Sequence, residues 1–208
     1  MKTLKILYED NNCIVIDKPA ELAVQGGKGV KSSVDRILAE MRDPAPLLVH
    51  RLDKDTSGVL LTAKTKEAAA EFSRLLGAER QAVKRYIAVC AGSPVNKEGV
   101  ISQDLMIRGA LKKSETRYKV IKSAAFSVLE LELGTGRMHQ IRRHLAMSGN
   151  PVLGDDKYGD FALNKKLRKE KGLKRLLLHS SRLVIKSKYQ IDVTSPLPDY
   201  FEEFTSFS

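Results

Sequence analysis

The chain is poor in the features that mark export, membrane insertion or metal binding. It has no apolar run long enough to span a bilayer, and its opening Met1-Lys-Thr-Leu-Lys-Ile6 is too short and too polar for a signal peptide. Cysteine is limited to Cys13 and Cys90, far apart and each within an apolar run. That spacing excludes a Cys cluster and predicts two buried, reduced thiols, as suits a reducing, cytoplasmic compartment. His139 and His144 are five residues apart, not the four that place two zinc ligands on one helix face, so no metal site is expected. Gln25-Gly-Gly-Lys-Gly29 reads as a loop, because no Gly-Lys-Ser/Thr sequence opens a helix there to cradle a phosphate. Internal repeats and low-complexity segments are also missing.

What the chain has in excess is positive charge. Lys and Arg number 36 against 25 Asp and Glu, for a net charge of +11 and a pI near 9.6. Such an excess points to a polyanionic partner, nucleic acid or an acidic membrane surface, and charge alone does not choose between them. Residues 165–175 hold seven basic residues out of eleven, which suits either a solvated face or a grip on phosphates. At 208 residues the chain suits one domain or two closely joined subdomains. A chain of this size buries roughly 70% of its unfolded surface, so a core forms without disulfides or a metal.

Hydrophobic patterning predicts an α+β chain with more strands than helices. Leu4–Tyr8 and Cys13–Ile16 read as strands around an Asp10-Asn-Asn12 turn. Ser32–Arg42 reads as a helix with Val34, Ile37, Leu38 and Met41 inward, opened by a Ser32/Asp35 capping box and stopped at Asp43-Pro44. Thr65 caps a second helix running through Leu76 and ended by Gly77. Further strands are expected over Val83–Ala91, Val100–Ile107, Ser114–Ile121 and Phe126–Leu133. A helix is expected from near Arg137 to Met147, with Met138, Ile141 and Leu145 inward and Gly149 and Pro151 stopping it. Leu176–Ser180 and Leu183–Ile185 read as buried strand material. The tail from Ser195, with Phe201, Phe204 and Phe207, reads as a short helix packing back.

The densest chemistry lies between Leu48 and Thr62. Apolar Leu47, Leu48 and Val49 lead into His50, Arg51, Asp53, Lys54, Asp55, Thr56 and Ser57, and Gly58 opens the run Val59-Leu60-Leu61. A polar knot between two apolar runs reads as a short loop joining buried strands or strand ends, where a rigid scaffold holds an acid in place. The same composition also suits a solvated turn closed by Asx hydrogen bonds.

His50-Arg-Leu-Asp-Lys-Asp-Thr-Ser-Gly58 resembles the signature of the RluA family of pseudouridine synthases. Lys18-Pro19, Lys84-Arg-Tyr-Ile-Ala88, Gly136-Arg-Met-His-Gln-Ile-Arg142 and Leu178-His-Ser180 resemble further family motifs, and the likeness runs from about Ile6 to about Pro198. The resemblance implies a pseudouridine synthase fold: a mixed, largely antiparallel sheet in two halves around a central catalytic cleft. It implies one catalytic domain over residues 1–208, without the S4-like RNA-binding domain that precedes it in many relatives, acting as a monomer.

By the same resemblance, Asp53 is the catalytic carboxylate, Arg142 the cation beside it, and Tyr86 the ring that stacks on the base. Arg51 fills the space left by the displaced base, and His50, Arg137 and Leu178 join the substrate site. The substrate would be ribosomal or transfer RNA. Pseudouridine formation consumes nothing, so no cofactor, metal or membrane is implied. A carboxylate suits the work as a nucleophile or as a stabiliser of positive charge at the sugar. Two other readings compete: a Mg²⁺-dependent nuclease or phosphotransferase using Asp53 and Asp55, and a non-catalytic RNA-binding protein on the same fold.

Overall fold

The structure is a computed structural model that describes residues 3–78 and 81–206. In chain order its strands are β1 (Lys5–Glu9), β2 (Cys13–Lys18), β3 (Leu47–Leu48), β4 (Ser57–Ala63), β5 (Ala82–Ala91), β6 (Glu98–Ser102), β7 (Leu105–Ile107), β8 (Ala110–Lys112), β9 (Glu115–Ser123), β10 (Phe126–Leu133), β11 (Leu178–Lys186) and β12 (Gln190–Thr194). Its helices are α1 (Val34–Met41), α2 (Lys66–Gly77), α3 (Gln140–Met147), α4 (Phe161–Glu170) and α5 (Glu202–Thr205). The chain divides into two units, Met1–Lys84 with Ser180–Pro196, and Arg85–His179 with Leu197–Ser208. The class is α+β, and every strand pairing with a described register is antiparallel.

In the first unit the strand order is β1-β2-β4-β11, with β3 also on β4 and β12 on β11. β4 is buried at all seven positions, which explains its unbroken apolar run. β2 pairs with it from Cys13↔Ala63 to Lys18↔Gly58. Phe72, Leu75 and Leu76 of α2 join Cys13, Val15, Leu61, Leu183 and Ile185 in one core. Thr65 caps α2 as expected, its side chain accepting from the Ala68 amide at 3.1 Å. α1 differs in its start. Ser33, not Ser32, is the N-cap, and its side chain makes no capping bond. The Asp35 carboxylate instead accepts from the Gly26 amide at 3.0 Å and from the Ser33 hydroxyl, tying the 25–29 loop to the helix. Met41 is only half-buried.

The second unit carries the order β5-β10-β9-β6, and β7 with β8 form a separate two-stranded sheet. The expected Val100–Ile107 strand is thus two strands, β6 and β7, broken at Gln103-Asp104. β8 was not foreseen. The core gathers Val89, Phe126, Leu153, Leu167, Leu177, Phe201 and Phe204. The basic run after residue 165 begins on α4, which Asp160 caps by accepting from the Leu163 amide at 2.9 Å and which packs inward through Leu167. The tail packs back through Phe201 and Phe204 as expected, while Phe207 lies outside the described residues. Cys13 and Cys90 are both free and buried, and burial pushes the Cys13 thiol up to about 12 and raises that of Cys90. No described helix is long and apolar enough to cross a membrane.

Candidate active site

In the first unit the loop that carries Asp53 leaves β3 and returns at β4. Leu47 and Leu48 pair with Ala63 and Thr62, so both ends of the loop are fixed to the same buried strand. Leu52 points into the core, and Asp53 follows it, half-buried. The Thr56 amide donates to the Asp53 carbonyl at 3.2 Å, which closes a tight turn over Lys54 and Asp55. Thr56 and Ser57 are buried, and Gly58 takes φ 107°, a conformation that side-chain-bearing residues rarely adopt. Arg51 is exposed on the same loop.

Two side chains hold this loop, the half-buried His50 and the buried Lys18. His50 Nε2 accepts from the Leu61 amide at 3.0 Å, so that nitrogen is unprotonated and the proton of the neutral ring sits on Nδ1. Burial, and secondarily the Lys84 charge, pushes the imidazole down to about 4. Lys18, at 0% exposure, donates from Nζ to the carbonyls of Pro19 at 2.8 Å, Leu22 at 2.9 Å and Lys54 at 3.0 Å. All three of its protons are thereby used, and one bond lands on the residue next to Asp53. Burial pushes the Lys18 ammonium down to about 8, against the opposing pull of the Asp55 and Asp53 carboxylates. From sequence Lys18 stands out only as part of a Lys-Pro likeness. Its sequence signal is a lysine that ends an apolar strand directly before proline, where a solvent-facing lysine would gain nothing.

In the second unit Tyr86 is buried on β5, opposite Leu131 of β10. Arg142, 3% exposed on α3, makes a bidentate pair with Asp155: Nε and Nη2 each donate to a carboxylate oxygen at 2.7 Å. Nη2 also donates to Asp156 Oδ1 at 3.2 Å, and the guanidinium carbon lies 5.4 Å from the centre of the Tyr158 ring. Asp155 accepts further from the Lys157 and Tyr158 amides, both at 2.9 Å. Burial would raise the Asp155 carboxyl, but the Arg142 bonds and these amides outweigh it and hold it below the usual carboxylate range. Asn164 supports the turn by bonding the Gly154 amide and the Asp155 carbonyl. Gly154 cannot carry a side chain, because a Cβ there would stand 2.0 Å from the Arg175 carbonyl oxygen. In sequence the Gly154-Asp-Asp-Lys-Tyr-Gly159 run carries no signal that marks Asp155 as the partner of Arg142.

α3 begins at Gln140 rather than near Arg137, because His139 takes φ 52° and breaks the helical path. Arg137 is therefore an exposed turn residue, its Nε donating to the Lys113 carbonyl at 3.3 Å. Met138 is exposed instead of inward, whereas Ile141 and Leu145 are buried as expected. The helix ends in a Schellman motif, with Asn150 N–H to Leu145 O and Gly149 N–H to Ala146 O. Leu178 is buried on β11. Of the residues singled out from sequence, His50, Arg51 and Asp53 thus share one loop of the first unit, and Tyr86, Arg137, Arg142 and Leu178 lie in the second. Among the described residues no group of three or more His, Cys, Asp or Glu is placed to hold a metal ion.

Comparison with known proteins shows the family. The chain is 35% identical over 215 residues to a Rickettsia bellii protein named ribosomal large subunit pseudouridine synthase C, covering 94% of the chain and 69% of the relative. Proteins of the same name from Salmonella typhi and Escherichia coli K12 are 40% and 39% identical over 194 residues, which is 86% of this chain and 60% of theirs. Among solved structures, human RNA pseudouridylate synthase domain containing 4 superposes with a TM-score of 0.81 at 28% identity, covering 96% of this chain and 90% of that one. Residues 12–147, which span the Asp53 loop, Tyr86 and Arg142, match the family model for RNA pseudouridylate synthases, and the chain belongs to that family.

Proposed function

We propose that the chain converts uridine to pseudouridine in structured RNA, with Asp53 as the reacting carboxylate. The observation that carries the reading is the Asp53 loop itself, anchored at both ends to β4 and held from below by Lys18, in a chain of this family. The reaction breaks the N1–C1′ bond, turns the base and joins C5 to C1′; C5 gives up its proton and N1 takes one up, so atoms balance without a co-reactant. An Asp53 oxygen has three possible tasks: attack at C1′, attack at C6, or assistance to a glycal intermediate. Each requires an ionised carboxylate in a fixed position.

Tyr86 offers the base an apolar ring face and one polar handle. The target base has to leave its stack, as for other base-modifying enzymes, and the exposed Arg51 guanidinium is suited to occupy the vacated space by stacking and hydrogen bonding together. The family resemblance assigns Arg142 as the cation that serves Asp53; within its own unit its plane is oriented by the Asp155 fork. His50, Arg137 and Leu178 complete the substrate surface, although the bond from Leu61 to His50 also gives that ring a structural task. The names of the relatives favour large-subunit ribosomal RNA over transfer RNA as substrate. That the chain acts in the cytoplasm and as a monomer is part of the proposal.

Pseudouridine mapping of ribosomal RNA from cells with and without the gene tests this: one or a few discrete sites should vanish with the gene. A chelator arm separates the Mg²⁺-dependent alternative. Turnover of a short unstructured substrate should survive saturating EDTA, and a complete loss restored by Mg²⁺ would favour the nuclease-like reading.

A further inference from the structure

The basic run over residues 165–175 divides into two kinds of cation. Lys171 and Arg175 serve the fold. Lys171 Nζ pairs with Glu203 of α5 at 3.0 Å, and the Arg175 guanidinium carbon lies 5.5 Å from the centre of the Tyr200 ring. Lys165, Lys166, Arg168 and Lys169 stand exposed on α4 instead, and among the described residues none of them is paired with a carboxylate.

α4 does not call for these charges in order to fold. Its inward side is Leu163, Asn164 and Leu167, and Leu167 is buried in the core with Phe201 and Phe204. Asp160 caps its N-terminus. Asn164 ties it to the turn that carries Asp155, bonding the Gly154 amide at 2.9 Å and the Asp155 carbonyl at 3.0 Å. Arg168 and Lys169, in the last turn, gain from the helix dipole. Lys165 and Lys166 lie too far forward to gain from it. Lys165 and Lys169, four apart, are neighbours on the outer side, and like charges at that spacing weaken a helix. The one carboxylate within α4 is Glu170, its last residue.

Phe161 opens the helix at 61% exposure. It lies four residues before Lys165 and eight before Lys169, so it shares their side of the helix. The outer face is thus an open aromatic ring at the head of a column of unneutralised cations. An interfacial membrane helix inserts its apolar side. The apolar side of α4 is already spent in the core. Protein interfaces are depleted of lysine. A nucleic acid offers phosphates to the cations and base faces to the ring.

We propose that the outer face of α4 is an accessory RNA grip, with Lys165, Lys166, Arg168 and Lys169 on phosphates and Phe161 against an unpaired base. The proposal rests on the synthase reading for the identity of the RNA. It assigns α4 to holding the RNA and not to the reaction.

The test uses the full chain, an unmodified transcript of large-subunit ribosomal RNA and, as a second ligand, vesicles containing phosphatidylserine. Lys165→Gln with Lys169→Gln installs another good helix former and relieves the repulsion, so the melting midpoint should match or exceed that of wild type. The slope of log-affinity against log-salt should become shallower by about two phosphate contacts, and KM should rise about tenfold with kcat nearly unchanged. Phe161→Ala should leave the slope unchanged and weaken affinity about tenfold, and Phe161→Tyr, which keeps the ring, should bind as wild type. If the wild type makes pseudouridine and both the double variant and Phe161→Ala keep its affinity, slope and KM, the α4 proposal is overturned and the synthase reading stands. Vesicle binding that the double variant loses while it keeps wild-type RNA affinity also overturns the proposal, in favour of a membrane surface. If the wild type makes no pseudouridine, the synthase reading fails, and the affinities and salt slopes alone decide α4: variants that bind RNA as wild type overturn the grip.

Discussion

Lys18 in the first unit and Arg142 in the second are both almost closed to solvent, yet they are satisfied by different chemistry. Lys18 spends three N–H bonds on three carbonyls and touches no carboxylate in doing so. Arg142 meets the Asp155 carboxylate edge to edge, with Asp156 beside it. A compact ammonium can reach three divergent carbonyls, whereas a planar guanidinium matches a flat carboxylate. The consequence for function is that the Asp53 loop is fixed by a cation without any carboxylate being drawn into the clamp. In the second unit the ion pair is itself the architecture, and it fixes both α3 and the turn after it.

The largest effect that separates the two clamps should come from Lys18→Met. It leaves three carbonyls without their Lys18 donor, each worth up to about 1–3 kcal/mol, and because these bonds are only part-buried water should hold the total to about 3–5 kcal/mol in urea melts. Hydrogen exchange should rise in β2 and β4 and remain low in β5 and β10. Arg142→Met should follow at about 3 kcal/mol, the lower end for breaking a buried pair, because Asp155 retains its two amide donors. Exchange should then rise in α3 and the 154–159 turn, and turnover should fall with it. Arg142→Lys should recover part of the turnover because charge is kept and the fork lost. If both variants loosen the same unit, the two clamps are not separate.

Acid should act next, through a different group in each unit. His50 is held at about 4 in the folded chain against an ordinary value near 6.5, so between those pH values the unfolded chain binds the extra proton and stability falls as pH falls. Asp155 is shifted the same way, downward, but from the lower ordinary value of a carboxyl, so its window lies at lower pH. Its contribution is complete above the ordinary carboxylate range and is lost only as pH falls through its lowered value. Between pH 6.5 and 4.5 the first unit should therefore lose stability through His50, and the second through His144 of α3, which burial also lowers. His50→Gln, which keeps an acceptor for the Leu61 amide and cannot titrate there, should remove the His50 part of the slope. The smallest effect should come from Glu71→Ala on the outer side of α2, whose Arg74 pair is solvent-screened; its melting curve should overlay that of wild type.

Much of this was legible in the sequence because local rules and tertiary context agree. The Thr65 cap, the β1 and β2 runs, β5 and the polar loop after Leu48 all carry their own signals. Where the structure departs, the cause is a residue doing something its type seldom does. Arg108 takes a left-handed turn position, so no Asn-Gly or Asp-Gly marked the β7–β8 hairpin. His139 takes φ 52° and delays α3, which turns Met138 outward. Lys18 is fully buried, which no propensity predicts for lysine. The bond between Arg142 and Asp155 joins residues thirteen apart through a turn that needs Gly154 and Asn164, and spacing alone does not disclose such a turn.

The most direct test of the account is Asp53→Asn, which keeps the shape of the side chain and removes its charge. Purified wild-type and variant chains would be incubated with the large-subunit ribosomal RNA transcript and the product mapped for pseudouridine, with RNA affinity and melting curves measured on the same preparations. The account predicts pseudouridine at a discrete site with wild type and none with the variant, at equal affinity and with melting curves showing a folded protein. Wild-type turnover by Asp53→Asn would contradict it.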